Sequence, residues 1–189
     1  MEEVCWNIMN ILFVCHGNIC RSPMAEFVMK ELVKKAGLED QFQIASAATS
    51  TEEIGCPVYP PARRKLAEHG ISCAGKTARQ LRREDYAQYD LLIGMDRANL
   101  RNMSRICGGD PGGKIHALLE YAPPSPAEPE AFSKREGFGK RPPQAEVREV
   151  ADPWYTGDFE TAYRDILAGC RGLLAALEGK EVRYDPRIH

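Results

Sequence analysis

Short unbroken apolar runs alternate along this chain with longer stretches in which apolar residues recur every three or four positions. The first kind reads as strands buried on both faces, the second as amphipathic helices. Ile11 to Val14 marks a first strand over residues 10 to 14. Beyond it Ala25, Val28, Met29, Leu32 and Ala36 form one helical stripe, with Ser22 as N-cap, Pro23 as first helical residue and Gly37 as stop. Residues 42 to 46 read as a second strand, and a turn-rich stretch over 47 to 59 leads to a helix opened by Pro60 and Pro61 and closed at Gly70. Tyr89 to Met95 reads as a third strand, 97 to 106 as a helix, 108 to 113 as a loop, and 114 to 120 as a short fourth strand. A last helix over 158 to 178 carries Phe159, Ala162, Tyr163, Ile166, Cys170, Leu173, Leu174 and Leu177 on one face. This alternation predicts a single three-layer α/β domain, a four-stranded parallel sheet flanked by helices on both faces.

Composition narrows the picture. A chain of 189 residues, 43% hydrophobic and 28% charged, suits one core, and a net charge of -2 points to neither nucleic acid nor an anionic membrane. No apolar run approaches the roughly 20 residues that span a bilayer. The start, Met1 to Trp6, is acidic where a secretory signal is basic, so a cytoplasmic location is expected. Seven cysteines lie scattered without framework spacing, which argues against a disulfide scaffold; Cys170, on the last helical stripe, reads as plain core. Between Pro123 and Pro143 fall six of the 13 prolines and no apolar period, the mark of a solvent-exposed excursion. Its Lys134, Arg135, Lys140 and Arg141 read either as a solvated face or as a dock for acidic phosphoproteins.

The chemistry concentrates in Val14-Cys15-His16-Gly17-Asn18-Ile19-Cys20-Arg21-Ser22-Pro23, between the first strand and the first helix. Main-chain N–H groups of a tight loop, added to those at a helix start, converge on a point that favours phosphate. Arg21 can hold two phosphate oxygens with its planar fork. Cys15 opens the loop in a positive field, the setting in which a thiol becomes a nucleophilic thiolate. Gly17 and Asn18 tolerate the left-handed backbone that wrapping an anion requires. His16 reads as a residue at the pocket mouth.

With an Asp-Pro pair late in the chain, Asp152-Pro153, the Cys-x5-Arg-Ser pattern resembles the low-molecular-weight protein tyrosine phosphatases. Ser46-Ala47-Ala48-Thr49, Ile54-Gly55, Ala78-Arg79-Gln80-Leu81, Met95-Asp96-Arg97-Ala98-Asn99-Leu100 and Asp152-Pro153-Trp154-Tyr155 match that family's segments in order. The resemblance implies a phosphatase domain over residues 8–180, with a Pro-rich insertion at about 124–147. It implies hydrolysis of protein phosphotyrosine through a cysteinyl-phosphate, with no cofactor and no metal, on a phosphoprotein substrate that includes tyrosine kinases as a possibility. It makes Cys15 the nucleophile, Arg21 and residues 16 to 22 the phosphate cradle, and Asp152 the proton donor and later the base that activates water. It makes Trp154 and Tyr155 an aromatic wall, Ser22 a hydrogen-bond partner of the thiolate, Asn18 a brace to Ser46, and Cys20 a redox partner of Cys15. Two departures stand out: Thr51-Glu52-Glu53 lacks the aromatic of many relatives, and Lys76 replaces a histidine common before the Ala-Arg-Gln segment.

Alternatives share the same residues. A thiol-dependent arsenate reductase of this fold needs two further cysteines after the middle strand, where only Cys107 lies, and a protein-arginine phosphatase carries threonine where this chain has Ile19. A non-catalytic phosphoprotein binder would lack the nucleophile or the acid, and a metal site from Cys15, His16 and Cys20 has poor spacing. Asp152 on its own could be a turn residue, and Asp96 an N-cap or a catalytic group.

Overall fold

A computed structural model describes residues 8–123 and 148–178. The segment 124–147, with its four basic residues, and the domain end at residue 180 lie outside the described residues.

Strands β1 (Met9–Cys15), β2 (Phe42–Ala48), β3 (Leu91–Gly94) and β4 (Ile115–Ala117) form one parallel sheet in the order β2-β1-β3-β4. Around it lie helices α1 (Arg21–Lys35), α2 (Pro60–Glu68), α3 (Asp85–Gln88), α4 (Arg97–Cys107), α5 (Pro153–Thr156) and α6 (Phe159–Glu178). The two-residue period of β1 builds two cores. Ile11, Phe13 and Cys15 pack with Val28 of α1, Leu66 of α2 and Ile166 of α6, whereas Leu12 and Val14 pack on the opposite face with Leu100 and Met103 of α4. The three-layer α/β reading holds. The chain leaves β1 toward β2 on one side and resumes with β3 on the other, so a crevice opens at the carboxyl ends of β1 and β3.

Boundaries shift where side chains find other work. Helix α1 starts at Arg21, with Cys20 in the N-cap position and no side chain capping it. Ser22 is therefore not the cap; its hydroxyl faces Cys15 and Asn18 instead. Val33 takes the buried position assigned to Ala36, which is exposed past the helix end, where Gly37 adopts φ 70° and Leu38 N–H closes back on Val33 C=O at 2.9 Å. The strand expected over 114 to 120 stops at Ala117, because Glu120 folds back to accept from Ala117 N–H at 3.2 Å and residues 118–120 form a 3-10 turn. The run at 89 to 95 narrows to 91–94, and α3 arises where buried Asp85 accepts from Arg82 N–H at 2.7 Å. Cys170 is fully buried on α6. That helix lies close on the 3-10 turn because Gly172 has no side chain: a Cβ there would stand 1.8 Å from the Tyr121 carbonyl oxygen.

Two clamps hold the chain where its described course resumes at Arg148. Arg148 Nη1 donates to Pro123 C=O at 2.7 Å, and Val150 N–H donates to Met95 C=O at 2.9 Å beside the end of β3. Among the described residues no helix is long and apolar enough to cross a membrane.

Candidate active site

Cys15 ends β1 and Arg21 begins α1, so loop 16–20 turns through five residues above the crevice. Asn18 makes that turn possible with a left-handed φ of 57°. Its N–H donates to Cys15 Sγ at 3.3 Å, and the Ser22 hydroxyl lies 3.0 Å from the same sulfur. The Asn18 side chain is buried behind the loop. Its Oδ1 accepts from Arg79 N–H at 3.2 Å, and its Nδ2 donates to Ser22 Oγ and Ser46 Oγ, both at 2.8 Å. Asn18 thus ties the loop to β2 and to the 79–81 segment.

A pocket opens in front of the loop, lined by Cys15, His16, Gly17, Ile19, Cys20, Arg21, Glu52, Glu53, Asp152, Trp154 and Tyr155. Trp154, half exposed, packs on Tyr59 with ring centroids 4.9 Å apart, and Tyr155 stands almost wholly in solvent. Across the mouth His16 Nε2 meets Glu52 at 3.0 Å. Asn18 and Ser22 are buried behind this lining.

The Arg21 guanidinium joins three parts of the chain. Nη1 donates to Asp96 Oδ2 at 2.7 Å and to Val150 C=O at 3.0 Å, and Nη2 donates to Asp152 Oδ2 at 2.7 Å. Burial works against its charge, but Cys15, Asp152 and Asp96 outweigh it and its pKa rises. Asp96 serves twice, because its Oδ1 also caps α4 by accepting from Asn99 N–H at 2.7 Å. Asp152 likewise caps α5, accepting from Trp154 N–H at 3.0 Å. Burial, then the nearby Cys15 and Asp152, push the Cys20 thiol up to about 12, so it stays protonated.

The family model described as "Low molecular weight phosphotyrosine protein phosphatase" matches residues 10–131. The low molecular weight protein-tyrosine-phosphatase YfkJ of Bacillus subtilis is 34% identical over 171 residues, covering 90% of this chain and 97% of that protein. The chain belongs to the low molecular weight phosphotyrosine protein phosphatase family. The crystal structure of YfkJ superposes with a TM-score of 0.78 at 32% identity, covering 93% of this chain and 98% of that one. The rat family member is 36% identical over 167 residues, covering 87% of this chain and 93% of its own. The structure of a Drosophila arginine phosphatase is similar too, with a TM-score of 0.72 and 27% identity over 90% of this chain and 98% of that one.

Within this low molecular weight phosphatase, the expected site residues other than Asn18 and Ser22, which stand behind the loop, line one crevice, with Asp152 brought 131 positions along the chain to Arg21. Sequence reading did not foresee that both carboxylates and the Val150 C=O would share the guanidinium. It also missed Glu26, which sits buried on α1 four residues after Ser22. An acid inside an apolar stripe was the available signal. Cys107 packs on the Leu12 and Val14 face of the sheet, opposite the face that holds Cys15. Among the described residues no three His, Cys, Asp or Glu side chains stand together to hold a metal ion.

Proposed function

We propose that this chain hydrolyses protein phosphotyrosine through a cysteinyl-phosphate. The observation that carries the reading is Arg21: one guanidinium lies in the pocket of Cys15 and is paired at 2.7 Å with Asp152. Nucleophile, oxyanion clamp and proton carrier are thus within one substrate's reach. The Cys15 sulfur attacks phosphorus, the P–O bond to the phenol breaks, and Asp152 gives its proton to the departing oxygen. An incoming dianion competes with Asp152 for Nη2. Two anions cannot share that edge of the guanidinium comfortably unless one takes a proton, and Asp152 is the one positioned to pass it on. In the second step Asp152 takes a proton from water, which attacks the phosphocysteine and releases phosphate.

Trp154 and Tyr155 supply a wall for the phenol ring. A second reading, phosphoarginine, draws support from the Glu52 and Glu53 carboxylates in the lining, which would suit a guanidinium. Ile19 favours the phenyl ester: it lines the pocket as a β-branched hydrocarbon packed with Cys20 and Ala78 and offers no hydrogen bond. Turnover of matched phosphotyrosine and phosphoarginine peptides separates the two. A kcat/KM at least about 10²-fold higher for phosphotyrosine is expected; faster phosphoarginine hydrolysis would reverse the assignment.

Cys20 is the proposed redox partner. Peroxide converts the Cys15 thiolate to a sulfenic acid with loss of hydroxide, and the Cys20 thiol then condenses with it, forming the disulfide and releasing water. The high-lying Cys20 thiol resists direct oxidation, which makes Cys15 the first target. Peroxide-treated parent enzyme should recover with dithiothreitol, and Cys20→Ser should recover far less. Equal recovery would remove the role. A cytoplasmic setting, where thiols stay reduced, suits a mechanism that needs Cys15 as a free thiol.

A further inference from the structure

The aromatic wall stands on little. Trp154 and Tyr155 belong to α5, a helix of four residues, too short to hold its shape alone. Trp154 is 52% exposed and Tyr155 84%, so burial fixes neither ring. The indole packs instead on Tyr59, with ring centroids 4.9 Å apart and planes tilted by 56°. Trp154 lines the pocket and Tyr59 does not, so Tyr59 supports the indole from outside the pocket.

Tyr59 is itself tied to the phosphate loop. Its N–H donates to Ile19 C=O at 2.8 Å, two residues before Arg21. Its ring packs against the cluster of Ile19, Cys20 and Ala78, and lies 6.1 Å from the ring of Phe159 at the start of α6. Pro60 and Pro61 follow at once and open α2, which fixes the backbone direction on leaving Tyr59. One residue thus joins the cradle to the wall: its main chain holds the loop, and its ring holds the indole.

That link bears on selectivity because an aryl phosphate is short and stiff. With phosphorus in line with the Cys15 sulfur, the phenol ring has few places to lie. An indole free to turn would lose rotamer freedom each time a ring bound beside it. One already packed on Tyr59 has lost that freedom beforehand. The gain falls on aromatic ligands alone, since a bare phosphoryl or phosphonyl group sits in the cradle and does not reach the wall.

We propose that Tyr59 is a positioning residue for aryl selectivity: acting through Trp154, it sets the wall against the phosphate loop and so favours aromatic over non-aromatic phosphate esters. The inference rests on the reading of Trp154 as the wall for the phenol ring. Two competitive inhibitors of p-nitrophenyl phosphate hydrolysis separate wall from cradle. Benzylphosphonate engages both, and methylphosphonate engages the cradle alone.

Tyr59→Ala should weaken benzylphosphonate about fivefold and leave methylphosphonate within about twofold. On a phosphotyrosine peptide kcat/KM should fall by a similar factor, carried by KM rather than kcat. Tyr59→Phe keeps the ring and should restore both. In a Trp154→Ala background, Tyr59→Ala should weaken benzylphosphonate by less than about 1.5-fold, because the group it acts through is gone. Equal weakening of the two inhibitors would make Tyr59 a brace of the loop and overturn the proposal, as would an unchanged affinity for both or full additivity with Trp154→Ala. Should Tyr59→Ala not fold, Tyr59→Leu fills the space beside Ile19, Cys20 and Ala78 without a ring; it must show the same selective loss, and its absence is equally fatal. Failure of the underlying reading looks different: Trp154→Ala alone would then leave benzylphosphonate binding unchanged. A loss in Trp154→Ala beside none in Tyr59→Ala refutes the role of Tyr59 and spares the wall.

Discussion

Cys15→Ser is expected to abolish turnover of p-nitrophenyl phosphate, by at least about 10⁴-fold, while the pocket still binds inorganic phosphate. The substitution exchanges sulfur for oxygen in the same place, at the end of β1, with Asn18 N–H and Ser22 Oγ as neighbours. A hydroxyl there ionises far less readily than a thiol, so the nucleophile disappears while the loop amides and Arg21 remain. Two measurements check this: steady-state turnover, and the rise in melting temperature with added phosphate. Acid quenching of the parent during turnover should trap a phosphoryl group on the Cys15 peptide. A variant within tenfold of the parent would end the covalent mechanism.

Asp152→Asn should lower kcat on phosphotyrosine peptide by about 10² to 10⁴, the usual worth of a positioned proton donor. Asparagine keeps the oxygen that accepts from Trp154 N–H, so α5 and its aromatic wall stay formed. What is lost is the proton, together with the oxygen that accepts from Arg21 Nη2. The loss should therefore depend on the leaving group: p-nitrophenolate departs with less help, so its ester should suffer less than phosphotyrosine. Equal losses on both esters would assign Asp152 to holding Arg21 rather than to proton transfer.

Much of this site was legible in order along the chain. Cys15, Arg21 and the left-handed Asn18 lie within seven residues, where strand ending, turn-forming types and helix start are local properties. The parallel sheet followed from the apolar runs Ile11 to Val14 and Tyr89 to Met95. The contacts that meet at Arg21 were not legible, because Asp96, Val150 and Asp152 are joined to it by sheet order, which no local period encodes. Ser22 shows the same limit: its residue type and position fit an N-cap, and proximity to Cys15 and Asn18 diverted the hydroxyl to them. Glu26 meets Lys76, fifty positions along the chain, only through the fold.

The carboxylate reaches the crevice through a stretch fastened at both ends, by Arg148 to the Pro123 carbonyl and by Val150 to Met95. Those fasteners hold the aim of Asp152 locally. Loosening either fastener would consequently cost Asp152 its aim at Arg21 before it cost the sheet any strand pairing.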